Sequence, residues 1–430
     1  MDVDEIELSS RGEAMKQMIV HNEHNLMQMA LLEEGKAVEF MAERTRERGL
    51  LGSYFKGRVV NVLPGMQAAF VDIGQKKNAF LYVDDVLHPN LEKQPKVKPS
   101  ISELLRPGQD VIVQVLKEPV GSKGARVTTH YSLPGRWLVY MPLADYVAVS
   151  KKIAREGDRS RLKTMGEQLR RDEEGLIIRT VSAEEQREAI QADLETLREQ
   201  WRLIREKADS LPSPSLLHRD HSMVQRIIRD VYTPGSDEVI TDNEVQAREL
   251  SALLEEICPG HQPKVQVYRG EESIFAAYRV QEQLNKDFAR KVWLPGGGYI
   301  VIDHTEALTV VDVNTGKYTG AGGHSLEETV TETNMQAAVE IARLMRLRDI
   351  GGMIIVDFID MEQAMNRHEV AATLENELKK DRTKAFVMGW TKLGLLELTR
   401  KKVREESTLP YVEPCSSCHG TGKRYISPLH

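Results

Sequence analysis

Two acidic segments in the second half of the chain carry the residues best suited to metal-dependent chemistry. The first is LTVVDVNTG (308–316), where strand alternation would place Asp312 and Asn314 on one face. The second is GGMIIVDFID (351–360), an apolar run interrupted by Asp357. An ionised carboxylate inside such a run is costly unless it is paired or bound to a cation. Acids at the ends of these two strands therefore suggest a metal site.

The spacing of the two segments allows their carboxylates to meet. About 45 residues separate Asp312 from Asp357, which is room for a loop, a helix and a return to a neighbouring strand. Two carboxylates with water are a common way of holding Mg²⁺ against a phosphate. The simpler alternatives are a turn acid for Asp312 and a helix N-cap for Asp357 or Asp360.

A Cys-x-x-Cys pair near the end of the chain has the spacing of zinc ligands. Cys415 and Cys418 supply only half of a tetrahedral site. His419 and a distant ligand could complete it, or a second copy of the chain could add its own pair, and the symmetric arrangement is favoured. The lack of an export signal disfavours haem attachment, and the position in a Gly-rich tail disfavours redox chemistry. Cys258 follows a predicted helix and is expected to be buried.

Composition describes a globular protein of about three domains. The chain has 430 residues, 41% hydrophobic and 29% charged. A net charge of −7 excludes binding of nucleic acid by bulk positive charge, so any such site must be a local basic surface. The sequence shows no secretory signal, membrane span or disulfide framework, which favours a cytoplasmic protein. It also has no P-loop or dinucleotide-binding turn.

The elements ahead of the acidic segments predict a nucleic-acid-binding barrel. Six β-rich runs between residues 54 and 144, the last of them WLVYMP, favour a small barrel of the OB type. Phe70 and Phe80 alternate with basic residues, and Lys117 follows them. Such a face can stack bases and track phosphates. The alternative places both phenylalanines in the barrel core.

The remaining elements are predicted to form a scaffold around these sites. Residues 18–45 predict a β-hairpin, and a capping box over 182–185 predicts a helix that runs to about Ala208. From residue 237 onward, strands alternate with helices, including one over 272–290, which predicts α/β architecture with a mostly buried sheet. Basic residues in this half could contact phosphates. They are Arg343, Arg346, Lys379, Lys380, Arg400, Lys401, Lys402 and Arg404.

As a set, these segments resemble the ribonuclease E/G family, and most closely its ribonuclease G-like members. The matching segments follow the family's order across nearly the whole chain. They are FKGR (55–58), LPGMQAAFVDIG (63–74), GSKGARVTT (121–129), GLIIRT (175–180), TVVDVNTG (309–316), LRDIGGMIIVDFIDM (347–361), GLLELTRKK (394–402) and PCSSCHGTG (414–422). Each is weak alone, but the ordered set is highly specific.

The resemblance implies a multidomain fold of mixed α/β class. It implies an RNase H-like subdomain split by an OB-fold RNA-binding barrel, a 5′-sensor subdomain, a DNase I-like catalytic subdomain and a zinc-link. The implied boundaries are 1–17 for an acidic extension, 18–48 and 214–283 for the RNase H-like parts, 49–130 for the barrel, 131–213 for the sensor and helical region, 284–405 for the catalytic subdomain, and 406–430 for the zinc-link and tail.

The resemblance also implies roles for individual residues. The implied groups are Asp312 and Asp357 as Mg²⁺ ligands with Asn314 beside them, Gly124, Arg179 and Thr180 as the pocket for a 5′-monophosphate, Phe70, Phe80 and Lys117 as RNA contacts, and Cys415 and Cys418 as ligands of a Zn²⁺ shared by two protomers.

The implied activity is Mg²⁺-dependent endonucleolytic hydrolysis of single-stranded RNA. Expected substrates are rRNA precursors and mRNA, with a preference for 5′-monophosphorylated ends and a role in RNA processing and decay. Metal-activated water would leave 5′-phosphate and 3′-hydroxyl ends. The implied assembly is a homodimer through shared zinc, with a higher oligomer as a further state. The alternatives are a non-catalytic RNA-binding dimer that keeps the barrel and zinc-link, and a zinc-held scaffold unrelated to RNA.

Overall fold

A computed structural model of the chain describes residues 15–402, except 45–48, 120–122, 154, 259–260, 306 and 317–325, and also residue 416. The chain divides into two compact units. The first unit draws on Met1–Arg44, Ser236–Ala247 and Lys264–His430, and the second on Thr45–Gly235 and Arg248–Pro263. Within the described ranges, no helix combines the length and apolar character needed to cross a lipid bilayer.

Strands make up most of the regular elements in the described part of the chain. The strands are β1 (Lys16–Glu23), β2 (Leu26–Glu33), β3 (Lys36–Arg44), β4 (Tyr54–Leu63), β5 (Ala68–Asp72), β6 (Ala79–Tyr82), β7 (Asp110–Lys117), β8 (Arg126–Thr128), β9 (Leu133–Pro134), β10 (Leu138–Met141), β11 (Val147–Val149), β12 (Gly175–Ile178), β13 (Ser215–His218), β14 (Glu238–Thr241), β15 (Val265–Val267), β16 (Lys291–Trp293), β17 (Tyr299–His304), β18 (Leu308–Asn314), β19 (Gly352–Asp357), β20 (Ala385–Trp390) and β21 (Leu396–Arg400). The α-helices are α1 (Ile101–Leu104), α2 (Glu156–Leu169), α3 (Arg187–Ser210), α4 (Met223–Val231), α5 (Glu244–Ile257), α6 (Ile274–Ala277), α7 (Val280–Asp287), α8 (Leu326–Leu347) and α9 (Ala364–Leu378).

The first unit contains the predicted N-terminal hairpin within a five-stranded sheet of order β15-β14-β1-β2-β3. The turn between β2 and β3 passes through Glu34 and Gly35, whose φ angles are 51° and 74°. Glycine suits this left-handed backbone because it has no Cβ to clash. β1 pairs in parallel with β14, so the sheet joins segments that are far apart in the chain.

The second sheet of the first unit has the order β16-β17-β18-β19-β21-β20. Among its pairings only β18 with β19 is parallel. One face packs into a core with α8 and α9, in which Val311, Val356 and Ile341 are at most 1% exposed. On the other face Met353 and Phe386 are more than half exposed. The prediction of a mostly buried sheet is therefore wrong, since the core helices cover a single face.

The second unit contains a closed five-stranded barrel, as the sequence predicts. Its strands run β4-β5-β6-β8-β7, and pairing of β4 with β7 closes it, while β13 adds to β4 from outside. Inward residues such as Val71, Leu81 and Val113 are fully buried. The predicted run WLVYMP belongs elsewhere, because β10 lies in a separate sheet of order β11-β12-β10-β9.

Two helix predictions need correction. Ser182 does not cap a helix, because its buried hydroxyl donates to the carbonyl oxygen of Trp137. The long helix α3 begins instead at Arg187. The helix predicted over 272–290 is divided into α6 and α7, since Arg279 adopts a left-handed φ of 54° between them. A single left-handed residue ends the regular α-helical hydrogen-bond pattern.

Candidate catalytic centre and nucleic-acid interface

The two predicted metal-binding aspartates lie side by side. Asp312 on β18 is the register partner of Asp357 on β19. Both are on the exposed face of the sheet, because the intervening Val311, Val313 and Val356 point into the core. Asp312 is thus a strand residue and not a turn acid. Neither Asp357 nor Asp360 is an N-cap of α9, which begins after Gln363.

Electrostatics at this pair suits a cation. Burial, together with the negative charges of Asp312 and Asp360, raises the pKa of Asp357. The Asn314 side-chain nitrogen donates to Asp312 Oδ2 at 2.8 Å, which orients that carboxylate. Carboxylate and amide oxygens are ligands that Mg²⁺ prefers. In the described part of the chain, however, no group of three or more His, Cys, Asp or Glu residues is arranged to hold a metal. A cation here would therefore need water to complete its coordination.

Hydrogen bonds from side chains of α8 hold the segment that follows Asp357. Asn334 on α8 is fully buried, and it bonds both the carbonyl and the N–H of Ile359, at 2.8 and 3.0 Å. The Glu327 carboxylate accepts the backbone N–H groups of Glu362 and Gln363, which lowers its pKa. These contacts position Asp360 and the end of β19.

Sequence reasoning did not identify Asn334, although a signal was available. Asn334 lies three, four and seven residues before Ala337, Ala338 and Ile341, on the apolar stripe of a helix. A polar residue on such a stripe must find a buried hydrogen-bond partner. The partner is the Ile359 backbone, which no local pattern could predict.

Several arginines proposed as phosphate contacts are occupied inside the first unit. Arg400 is 4% exposed and bonds Asp381 at 2.7 Å and Asp349 at 2.7 Å. Arg343 and Arg346 are also held by carboxylates. The phosphate-binding prediction is therefore wrong for these three. Lys379 and Lys380 bond side chains one turn earlier on α9, Lys401 and Lys402 are exposed, and Arg404 lies outside the described residues.

The predicted RNA-contacting residues of the barrel form one row across four strands. Phe70 on β5 pairs with Phe80 on β6, which pairs with Arg126 on β8, which pairs with Lys117 on β7. The two phenylalanine rings are 5.9 Å apart at 70°. Both are half-buried on the outer face, so the alternative of two core phenylalanines is wrong.

The two cations of this row differ in their surroundings. Arg126 donates to Asp85 Oδ2 at 2.8 and 3.1 Å. Lys117 is exposed and forms no ion pair with any residue that the structure describes. Lys117 lies in the same row as the two rings, with Arg126 between it and Phe80. A surface that combines exposed cations with aromatic rings is typical of proteins that bind single-stranded nucleic acids.

The predicted 5′-sensor residues lie on two elements of the second unit. Arg179 follows β12 and donates to the Gly135 carbonyl and to Asp230, each at 2.8 Å. Burial opposes ionisation of Asp230, but the charges of Arg179 and Arg229 outweigh it and lower the pKa of that carboxyl. The adjacent Thr180 hydroxyl lies 2.8 Å from the Ser150 hydroxyl.

Gly124 lies on the barrel, just before β8. A Cβ at this position would approach the Asn78 carbonyl oxygen to 2.0 Å, so the local packing admits only glycine. The two predicted zinc ligands, Cys415 and Cys418, fall outside the described residues. Cys258 is buried, as predicted, and forms no disulfide with another residue of the described ranges.

Sequence comparison finds similar proteins over most of the chain. The sequence model of the ribonuclease E/G family matches residues 132–403. The chain is 41% identical over 405 residues to Ribonuclease G of Haemophilus influenzae, covering 93% of this chain and 82% of that protein. It is 40% identical over 401 residues to Ribonuclease G of Escherichia coli (strain K12), covering 92% and 81%. It is also 36% identical over 411 residues to Ribonuclease E of Nostoc, covering 95% and 58%.

Proposed function

This chain belongs to the ribonuclease E/G family, and we propose that it is an endoribonuclease that hydrolyses phosphodiesters within single-stranded RNA. The observation that carries the proposal is the register pairing of Asp312 with Asp357 on an open sheet face, with Asn314 bonded to Asp312. A non-catalytic RNA-binding dimer is not favoured, because the similar proteins are ribonucleases and the carboxylate pair is intact.

The residues of the first unit have distinct roles in this proposal. Asp312 and Asp357 would hold Mg²⁺, which when bound supplies an activated water and neutralises charge on the scissile phosphate. Asn314 keeps the Asp312 carboxylate in one orientation through its side-chain N–H. Asn334 and Glu327 keep the segment after Asp357 in place. The ribose 2′-oxygen has no role, so the products carry 5′-phosphate and 3′-hydroxyl ends.

The second unit would bind the substrate strand and read its 5′ end. Phe70 and Phe80 offer ring surfaces for bases, and Lys117 offers an unpaired charge for phosphate. A 5′-monophosphate would replace Asp230 as the partner of Arg179, since a guanidinium binds phosphate through paired N–H donors. Thr180 offers a hydroxyl donor beside it, and Gly124 keeps the barrel loop close to Asn78.

Substrates and assembly are further parts of the proposal. The expected substrates are rRNA precursors and mRNA, in RNA processing and decay. Cys415 and Cys418 would bind Zn²⁺ together with the same pair from a second protomer, which would produce a homodimer. A cytoplasmic location stays a prediction.

Cleavage of matched oligonucleotides tests the catalytic proposal. Single-stranded RNAs that differ only in a 5′-monophosphate or 5′-hydroxyl are incubated with the protein in Mg²⁺ or EDTA. We expect internal cuts in Mg²⁺ alone, faster on the monophosphate. Asp312→Asn should lower the cleavage rate by at least about 100-fold, since removing even an outer-sphere partner of a metal site lowers metal affinity or activity about 10- to 100-fold.

The matched control is Asp303→Asn, which lies on the same exposed face but is held by Arg290 at 2.6 Å. This variant should cut RNA normally. Cleavage that persists in Asp312→Asn, or in EDTA, would refute the assigned metal-binding pair. Binding without any cleavage by the unaltered protein would make the RNA-binding alternative the better description.

A further inference from the structure

An aromatic pair, exposed Trp293 and half-buried Tyr299, lies on the sheet face that carries the carboxylates of the first unit. Trp293 on β16 is the register partner of Tyr299 on β17, and Tyr299 is the partner of Asn314 on β18. The Trp293 and Tyr299 rings are 5.3 Å apart at 63°. These three residues therefore form a row across the same sheet face that carries Asp312.

A parallel row brings a cation to the same place. Lys291 pairs with Val301, Val301 pairs with Asp312, and Asp312 pairs with Asp357. With strands spaced about 4.8 Å apart, Lys291 lies roughly 10 Å from Asp312 along this row. Aromatic rings and a cation therefore border the carboxylate pair within two strands.

The Trp293 side chain is not part of the hydrophobic core. Trp293 is 58% exposed, whereas its neighbour Val292 and Ile300 on the opposite face are at most 5% exposed. A large exposed aromatic ring gains little hydrophobic stabilisation, so its position calls for another explanation. Its free surface, next to acids that would hold a metal, suits a ligand with flat faces.

Lys291 orients the two rings without an acidic partner. Its Nζ lies 3.5 Å from the centre of the Tyr299 ring and 4.2 Å from that of Trp293. It forms no ion pair with a residue in the described ranges. Such cation–π contacts hold the rings while leaving the charge able to meet an anion.

A glycine keeps room for this arrangement. Gly316 has a φ of +59°, and a Cβ there would lie 3.2 Å from the Tyr299 ring and 2.5 Å from the Gly297 carbonyl oxygen. A side chain at 316 would therefore disturb the hairpin turn that supports both rings.

We propose that Lys291, Trp293 and Tyr299 form a stacking platform that holds an unpaired base of the substrate RNA next to the scissile phosphate. The inference rests on the proposed endoribonuclease function. The open surface of Trp293 would stack on the base, and Lys291 would contact the adjoining phosphate. Bases inside a duplex have no free face, so the platform makes the cut itself selective for single strands.

An abasic scan tests this platform. Oligoribonucleotides with one cleavage site each carry a single abasic residue at successive positions around the cut. The unaltered protein should show KM raised about 5- to 150-fold at one position, the range expected for losing one stacked base. Trp293→Ala should raise KM for the intact RNA by a similar factor. An abasic residue at that one position should then no longer raise the KM of this variant further. Its kcat at saturating RNA should be unchanged.

Two variants separate stacking from a structural effect. Trp293→Phe keeps an aromatic face, so its KM should lie between the KM of the unaltered protein and that of Trp293→Ala. Phe386→Ala removes another aromatic side chain, 61% exposed on the same sheet, and should leave the abasic profile unchanged. The melting temperatures of all variants should match that of the unaltered protein, because the Trp293 and Phe386 side chains are mostly exposed.

The outcomes distinguish this inference from the function on which it rests. If the unaltered protein cuts RNA but Trp293→Ala keeps the full abasic profile, the platform is refuted and the nuclease stands. If Trp293→Ala instead dissociates a dimer and leaves the profile intact, the surface is a protein interface and the inference is also refuted. If the unaltered protein does not cut RNA, the proposed function fails first.

Discussion

Each unit presents an aromatic pair and a cation on a sheet surface, but among the described strands only the first unit adds two carboxylates that are paired in register. On the barrel the rings of Phe70 and Phe80 are 5.9 Å apart, and Arg126 follows in register. On the first unit the rings of Trp293 and Tyr299 are 5.3 Å apart. The same kinds of contact can bind a strand in both places, whereas the proposed hydrolysis uses the Asp312 and Asp357 pair of the first unit.

The two pairs also differ in how much the fold depends on them. The barrel phenylalanines are half-buried, and Arg126 is tied to Asp85, so this surface is part of the barrel's packing. Trp293 is mostly exposed, and the Lys291 ammonium lies over the Trp293 and Tyr299 rings without an ion pair to a described residue. Binding surfaces can thus be built into a stable barrel, while residues beside a reacting group are left free to meet the substrate.

The largest effect expected is a separation of catalysis from binding between the units. Asp357→Asn should reduce kcat by at least about 100-fold and leave Kd for RNA nearly unchanged, since it removes a metal ligand only. Phe80→Ala should raise Kd about 5- to 150-fold and leave kcat at saturation unchanged. Single-turnover cleavage and fluorescence anisotropy measure the two quantities. Equal effects of both variants on Kd would break the comparison.

A smaller effect is expected from replacing Asn334, the buried amide that holds the segment after Asp357. Asn334→Ala leaves the Ile359 N–H and carbonyl without side-chain partners, so the segment holding Asp360 should shift. A misplacement of about 1 Å can cost up to about 100-fold in kcat. RNA binding through the barrel should not change. Val339→Ala, an exposed position on the same helix, is the control, and a normal kcat in Asn334→Ala would refute the positioning role.

The units should differ in acid stability as well. In the second unit, burial opposes ionisation of Glu174, but the charge and hydrogen bonds of Arg198, with hydrogen bonds from the Arg171 N–H and the Tyr140 hydroxyl, together outweigh it and lower the pKa of this carboxyl. A lowered folded-state pKa stabilises the unit above the ordinary glutamate range, and the stabilisation is lost as pH falls through the folded pKa. Glu174→Gln should cost about 1–3 kcal/mol at pH 7 and progressively less towards pH 3.

The change in the free energy of unfolding is measured by urea titration at several pH values, with hydrogen exchange of α3 reporting the unfolding of the second unit. Glu195→Gln removes an exposed carboxylate that bonds the same Arg198, and it should have little effect. Asp357 in the first unit differs from Glu174 in the direction of its pKa change. Its pKa is raised, so its ionisation opposes folding. A pH-independent cost of Glu174→Gln would contradict the assignment.

The smallest effect expected concerns salt. Lys117→Ala should reduce the slope of log Kd against log salt by about 0.7, the contribution of one phosphate contact to a single strand. Arg126→Ala should change the slope less, because Asp85 already neutralises that charge. Titrations at several salt concentrations measure both slopes. Equal changes in the two variants would show that Asp85 does not hold Arg126 away from the RNA.

Local patterns predicted many elements of the fold. The strand Leu308–Asn314 lies within the segment 308–316 in which strand alternation is predicted, since the period of the apolar residues indicates which face of an element is buried. The turn at Pro295–Gly298 connects β16 to β17, as its glycines indicate. Element boundaries were wrong where a side chain found a distant partner, as Ser182 did with Trp137.

The sequence by itself determined the family, the barrel, and the residue types available for chemistry. Only the tertiary structure decided that Asp312 pairs with Asp357 and that Arg400 forms ion pairs with Asp381 and Asp349. It also decided that Trp293 is exposed on the sheet face that carries the acids. The physical reason is that strand periodicity depends on neighbouring residues. Strand register and ion-pair choice instead minimise the free energy of a core assembled from segments far apart in the chain.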